Sequence, residues 1–439
     1  MRLVCFFFLF VSIFFLSSMM GCDSASSIED PNKSYFIKFF GGDGDQTGAD
    51  LVALPDGTFI LFGTTRPSAA GSNSQWYLVK ADAKGNRVWE KTFGGTTDEE
   101  ASDIELTTDG RLVAVGNTYK TATDRDVRIM TLTLDGVPLD SALIPILDNA
   151  GNVTKGDEDA ASVTETSDGF IIAGSTTYVS IKPAGDKPGS SDPRDALNIR
   201  VKKDLKPYQN SWPITQTFGT YSDDVSKKIY QVSDGFYLFG FSNSLKSGHT
   251  VENYNVWYYK ISFNAVSLNN NYLGNQSEDE KPSSVSIAPP QSGGGYILAG
   301  ITYNQAGAGS FYVSRLRSSL AFNSSDDQFR KSLSIVLGSN LNERTSVFAS
   351  QQGGFYVLAN EKSFNDNQNW ILTKVNNDGS TAWNLPIVFG GEGLDTIGAV
   401  QELPDGRLLL IGTMRTGKSD AGEFKLTLIK VNQDGKLLN

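Results

Sequence analysis

Cysteine and histidine are almost missing from this sequence. Its 439 residues hold 2 Cys and 1 His. Cys5 lies within an apolar leader and Cys22 directly after it, so the remaining chain has no thiol. That excludes a disulfide framework, a Cys-ligated metal and a thiol nucleophile. A lone His249 excludes a three-His zinc site, and nothing beside it suggests an oriented Ser-His-Asp triad. It reads as a solvated loop residue. Positive charge is also scarce, with 38 Lys+Arg against 49 Asp+Glu and a formal net charge of -11. Phosphate backbones would repel such a chain, which argues against nucleic acid as a partner. Beyond the first 21 residues no stretch is apolar enough to cross a bilayer as a helix. Acids are so common that no carboxylate pair stands out for glycoside hydrolysis. Gly41-Gly42, Gly94-Gly95 and Gly390-Gly391 precede no helix that would make them phosphate loops. With no catalytic constellation, the chain reads as a non-enzyme.

What is present begins with a leader. Arg2 is followed by the apolar run Phe6–Val11 and Ile13–Leu16, then by Ser17 to Gly21 and Cys22. This order resembles a bacterial lipoprotein signal, with Gly21 as the small residue before a lipidated Cys22. Met19 departs from the usual Leu. The resemblance implies cleavage after residue 21, acylation of Cys22, palmitate included, and a polar tether over residues 22–33. Several acyl chains would hold it firmly, at about 0.8 kcal/mol per buried methylene.

The rest of the chain repeats itself. Apolar runs such as Thr58–Gly63, Arg111–Gly116, Phe236–Gly240 and Arg407–Gly412 each follow a tight-turn pair. The second Gly of these pairs falls at 57, 110, 169, 235, 295, 354 and 406. Each run closes on Gly except the sixth, which closes on Asn360. Each unit has four strand-like runs, the third aromatic and alternating, as in Trp76–Lys80 and Trp370–Lys374. Asp-Gly between apolar runs is a hairpin signal, because the turn needs positive φ. Four antiparallel strands per repeat, seven times over, predict an all-β, seven-bladed β-propeller over residues 34–439.

The first strand of each unit starts on a small residue: Ala49, Ala101, Ala161, Ser226, Ser284, Ser346 and Gly398. That suits strands converging on an axis. Tyr35–Gly42 reads as a fourth strand with no third before it, and the last repeat stops short of a fourth strand. The N-terminal strand should therefore complete the seventh blade and close the ring.

The unit "strand, Asp-Gly, strand-Gly, loop, Trp/Tyr-rich strand, Asp-x-x-Gly, Trp, Phe-Gly-Gly, acidic" is clearest at Lys80–Trp89 and Lys374–Trp383. It resembles the propeller repeats of bacterial surface lipoproteins, especially of Bacteroidetes-type organisms. It is also similar to the quinoprotein-type repeat of the outer-membrane-assembly propeller lipoprotein, although that repeat's Thr-Gly is absent and the count is seven, not eight. The resemblance implies a lipid-anchored envelope protein, at the outer membrane, serving as a binding module or accessory subunit of an outer-membrane complex. A surface protein binding a small molecule or glycan is the alternative, and a propeller hydrolase or lyase the weakest one.

Binding residues concentrate on loops held by a rigid scaffold. The long connections between second and third strands should share a face with the fourth-to-first connections. Arg and aromatic residues there are the candidate ligand or partner contacts: Arg66, Tyr119, Arg125, Tyr178, Arg194, Tyr254, Tyr303, Phe364 and Arg415. The fourth-to-first connections carry acids in every repeat, which predicts a negative collar round the mouth of the axis. Asp43, Asp45 and Asp50 are candidate ligands for a hard cation such as Ca²⁺. The competing reading is that each acid caps its own loop.

Overall fold

In the computed structural model the chain forms a ring of seven four-stranded antiparallel sheets. The structure describes residues 35–437 apart from 122–123, 145–155, 178–193, 209–215, 218–222, 244–252, 276, 308, 338–343, 363–366, 392 and 418–421. Cys22, Tyr178, His249 and Phe364 lie outside the described residues.

Six blades are continuous in sequence: Asp45–Phe93, Asp98–Ile144, Glu158–Thr217, Asp224–Leu273, Glu278–Leu337 and Thr345–Phe389. Each runs outward strand by strand in chain order. The seventh combines Thr396–Glu402, Leu408–Thr416 and Glu423–Val431 with the N-terminal strand Phe36–Phe40. That strand pairs antiparallel with the last one, from Phe36 opposite Lys430 to Phe40 opposite Leu426. The ring closes as expected, and the last strand keeps no open edge. Helix among the described residues is limited to two single turns, Pro290–Ser292 and Ser324–Asp326.

Neither face of a blade can stay in water. The second and third strands bury both, so the core lies between blades. Phe62, Trp76 and Leu78 of blade 1 pack on Ala101, Ile104, Leu112 and Met130 of blade 2. Trp76 and Trp370 have no solvent exposure.

The glycine that closes each apolar run lies within the second strand and has a steric cause. The innermost strand carries a β-bulge in blades 1 to 5 and 7, and the bulge sits opposite that glycine. The bulge turns a carbonyl inward. A Cβ added at Gly63, Gly174 or Gly240 would lie 1.8 Å from the oxygen of Thr47, Asp159 or Val225. Blade 6 has no register shift in its innermost strand, Thr345–Ala349. Asn360, at the glycine's place in its second strand, lies beyond that paired stretch and bridges to blade 7. The Asn360 amide donates to the Asp395 carbonyl at 2.7 Å and accepts from the Ile397 amide at 3.1 Å.

Candidate functional site

The acids of the fourth-to-first connections occupy two tiers. The outer tier clasps neighbouring blades. Asp98 accepts from the Ser74 amide at 2.7 Å, Asp223 from Arg194 at 3.1 Å, Asp279 from Tyr254 at 2.8 Å and Asp45 from Phe424 at 3.0 Å. In each case an acid entering one blade caps the start of the third strand of the blade before it. This bond to Ser74 holds the Asp98 carboxyl below its ordinary value, helped by Arg66. The inner tier is buried against the second strand. Glu99 accepts from Thr118 at 2.6 Å and pairs with Arg128 at 3.1 Å. Glu158 accepts from Thr176 at 3.0 Å. Burial pushes both Glu158 and Asp224 up to about 8.

The innermost strands enclose an axial cavity of about 530 Å³. Lys228 of blade 4 reaches across it. Its ammonium lies 2.9 Å from Glu105 and 3.4 Å from Asp103, both of blade 2, and 3.3 Å from the Val163 carbonyl of blade 3. Although burial opposes its charge, Asp103 and Glu105 hold Lys228 well above the usual lysine range. Asp50 hydrogen-bonds Asp103; burial and that neighbouring carboxylate raise it well above the usual aspartate range. Asp50 and Asp103 also accept the Ile104 and Val163 amides, at 3.1 and 2.8 Å. Innermost strands have one unpaired edge, and these side chains satisfy it from the preceding blade.

Towards the loop face the axis opens into a second cavity of about 360 Å³, lined by residues of blades 2 to 6. Glu100, Asp159, Arg194 and Lys281 of its lining each bond or face a further charged or aromatic side chain. Glu100 accepts from the Tyr119 hydroxyl. Arg125 lies 5.4 Å from the Tyr119 ring centre and pairs with Asp157 at 3.2 Å and Asp159 at 3.8 Å. Arg194 forks onto Asp223 through two bonds of 2.8 and 2.7 Å, and Tyr254 donates to the same carboxylate at 2.9 Å. Burial works against the Asp223 charge, yet these partners hold its carboxyl below the usual range. The Lys281 ammonium sits 4.1 Å from the Tyr254 ring centre.

The structure thus brings Tyr119, Arg125, Arg194 and Tyr254 together and leaves others apart. Arg66 pairs with Asp98 at 2.8 Å on the rim of blade 1. Tyr303 is half-buried against the core between blades 5 and 6. Arg415 lies 5.1 Å from the Phe424 ring centre and donates to the Gly422 carbonyl at 3.0 Å. Three expectations need correction. Tyr119 and Arg125 are not loop residues, because their strands run on to Thr121 and from Asp124, with the two side by side in register. Asp43, Asp45 and Asp50 do not converge. Asp45 clasps blade 7 at the face, Asp50 lies in the axial cavity, and no cluster of metal-ligating residues occurs among the described residues. The mouth is not a plain negative collar either. Arg194, Lys227, Lys281 and Arg344 line it beside Glu100 and Asp159. Lys227, Lys281 and Arg344 were missed, since two lie mid-strand and none stands in an aromatic loop.

No protein-family model matches the chain, and no curated protein sequence matches it. Solved structures do. The extracellular region of plexin A4 aligns with a TM-score of 0.50 at 10% identity, over 89% of this chain and 47% of that one. The chain thus spans about half the length of that plexin. A PL25 ulvan lyase bound to -[GlcA(1-4)Rha3S]- aligns at 0.49 and 9% identity, over 91% and 96% of the two chains. The GH93 α-L-arabinofuranosidase of Fusarium graminearum, in complex with arabinobiose, aligns at 0.47 and 9%, over 90% and 97%. At 10% identity the likeness to the plexin A4 region is one of fold alone.

Proposed function

We propose that this chain is a lipid-anchored envelope protein, held through Cys22, that binds a partner with the loop-face mouth of its propeller. Its role is that of an accessory subunit of an outer-membrane complex. The supporting observation is the array Tyr119–Arg125–Arg194–Tyr254. Every member is held by an ion pair, a hydrogen bond or a ring contact. Arg and Tyr presented in a fixed geometry lose little entropy on binding, which is the profile of interface hot spots. A small-molecule or glycan ligand is the second reading, favoured by the cavity of about 360 Å³ beneath the array.

Both parts are testable. Cys22→Ser should abolish labelling by a palmitate analogue and release the protein from membranes; membrane retention without label overturns the anchor. For the mouth, the protein is purified from detergent-solubilised membranes with and without Arg125→Ala and Tyr254→Ala. A stoichiometric partner lost in these variants, but kept in Lys206→Ala on the opposite face, supports the reading. A clean monomer, or a partner retained by all three, refutes it.

A further inference from the structure

The N-terminal strand Phe36–Phe40 carries more apolar surface than ring closure needs. Of its five residues four are apolar and the fifth is Lys38. Cross-strand pairing sorts them onto two sides. Phe36, Lys38 and Phe40 stand opposite Lys430, Leu428 and Leu426. Leu426 and Leu428 belong to the core between blades 7 and 1, and Phe36 and Phe40 pack there with them. Ile37 stands opposite Ile429, which belongs to the core between blades 6 and 7. Ile37 and Phe39 therefore turn towards blade 6, yet they stay 39% and 52% exposed. Closure is served by the backbone, Phe36 and Phe40, and calls for neither of them.

Blade 6 leaves this side uncovered. Its outer strand has only the three residues Ile387–Phe389, and Ile387 and Phe389 are taken up by the core with blade 7. Leu385, between Trp383 and Ile387 of that core, is 77% exposed. Past the last strand of blade 7, the Asn432 amide donates to the Lys436 carbonyl at 3.0 Å, and Leu437 beyond it is exposed as well. That turn reaches blade 6, since a Cβ at Gly435 would lie 3.0 Å from the Trp383 ring. Single exposed apolar residues are ordinary on any protein. Ile37, Phe39, Leu385 and Leu437 gathered on one sector of the outer wall mark a contact surface.

The chain's own connection points to what covers it. Cys22 stands fourteen residues ahead of Phe36. At about 3.6 Å per extended residue this segment spans at most about 50 Å, and it joins the propeller at this strand. A lipid held at Cys22 thus keeps the patch at high local concentration beside a bilayer. Phe, Ile and Leu side chains suit the boundary between headgroups and acyl chains, and the strand has no acid although the chain has 49. We infer that the outer wall of blade 7, at Ile37 and Phe39, docks on the lipid surface to which Cys22 is anchored. The inference rests on that anchor. With the wall of the ring on the bilayer, the axis runs along the membrane and the mouth opens sideways, towards membrane-bound partners.

The test uses the lipidated full chain reconstituted in liposomes of phosphatidylethanolamine and phosphatidylglycerol that carry a headgroup nitroxide quencher. With Cys22 acylated and the leader removed, an introduced cysteine is the single free thiol. A bimane label is placed at Phe39→Cys and, for comparison, at Leu268→Cys on the outer strand of blade 4, across the ring. Quenching should be several-fold stronger at Phe39→Cys. Adding Ile37→Asp should lower it about threefold, because a charge opposes entry into the apolar boundary, with flotation and melting temperature unchanged. Flotation with quenching at Phe39→Cys no stronger than at Leu268→Cys, or with quenching that Ile37→Asp leaves intact, overturns the inference and leaves the anchor standing. A chain that does not float with the liposomes overturns both.

Discussion

Glu158→Gln should make the protein more stable at neutral and alkaline pH. Glu158 is the inner-tier acid of blade 3 and is 1% exposed. Burial is the main cause that lifts its pKa from 4.5 to about 8; the Asp126 and Asp124 charges add to it, while the Thr176 hydroxyl and Lys120 oppose it. Between those two values the folded chain holds a proton that the unfolded chain releases. Stability therefore falls as pH rises through the interval, because the native state binds more protons. At about 1.36 kcal/mol per pH unit, the interval from 4.5 to pH 7 amounts to about 3 kcal/mol. Glutamine keeps an oxygen for Thr176 and has no charge to bury. Urea unfolding at pH 5, 7 and 9 should show the variant within about 1 kcal/mol of wild type at pH 5 and about 3 kcal/mol above it at pH 7. The gap should stop widening above about pH 8. A constant difference across the three pH values would refute the reasoning, since it would mean that Glu158 does not titrate between them.

Asp224→Asn in blade 4 should flatten the same pH profile independently, because burial raises this carboxyl to about 8 as well; an unchanged slope in urea titrations would count against it. Lys228→Met should cost about 3 kcal/mol in urea unfolding at pH 7, since it leaves Asp103 and Glu105 without their shared cation. Adding Asp103→Asn should recover part of that loss, and no recovery would show that the ion cluster is not the cause. Gly240→Ala should cost about 3 kcal/mol in thermal unfolding, because its Cβ would meet the Val225 oxygen at 1.8 Å; a loss below about 1 kcal/mol would mean the bulge relaxes easily. Deleting Phe36–Phe40 bares the last strand, Glu423–Val431. The truncated protein should associate with rising concentration in light scattering, and a monodisperse monomer would contradict the closure role.

The fold was legible because its signals are local and recur. Alternation of period two, Asp-Gly turns and a glycine after each apolar run can be read within a few residues of one another, and seven copies make chance agreement improbable. Ring closure followed from counting strands at the two ends. Strand limits were less legible. Tyr119 and Arg125 sit in a stretch whose polar residues suggest a loop. Yet Asn117, Thr118 and Asp126 are buried there, where Asn117 donates to Asp159, Thr118 donates to Glu99 and Asp126 pairs with Lys120. A polar strand residue that bonds a buried partner carries the same signature as one facing water. The capping role of the acids was partly legible, since every repeat supplies one. Their partners were not, because the outer-tier acids bond the blade before their own, as Asp98 bonds Ser74, while Glu99 and Glu158 bond the second strand of their own blade.

The mouth itself could not be read from any one segment, because its lining comes from five blades spread over the sequence. Comparing repeats with one another carries more information, and two departures illustrate how. Asn360 replaces a glycine that five preceding repeats share, and its side-chain amide bonds the Asp395 carbonyl and the Ile397 amide on the way into blade 7. Lys227 replaces a small residue at a bulge that blade 4 keeps in the same place as its neighbours, and its ammonium lies 5.8 Å from the Phe241 ring centre of the same blade. Departures of this kind stand out only when one repeat is laid beside another, because each is an ordinary residue within its own segment.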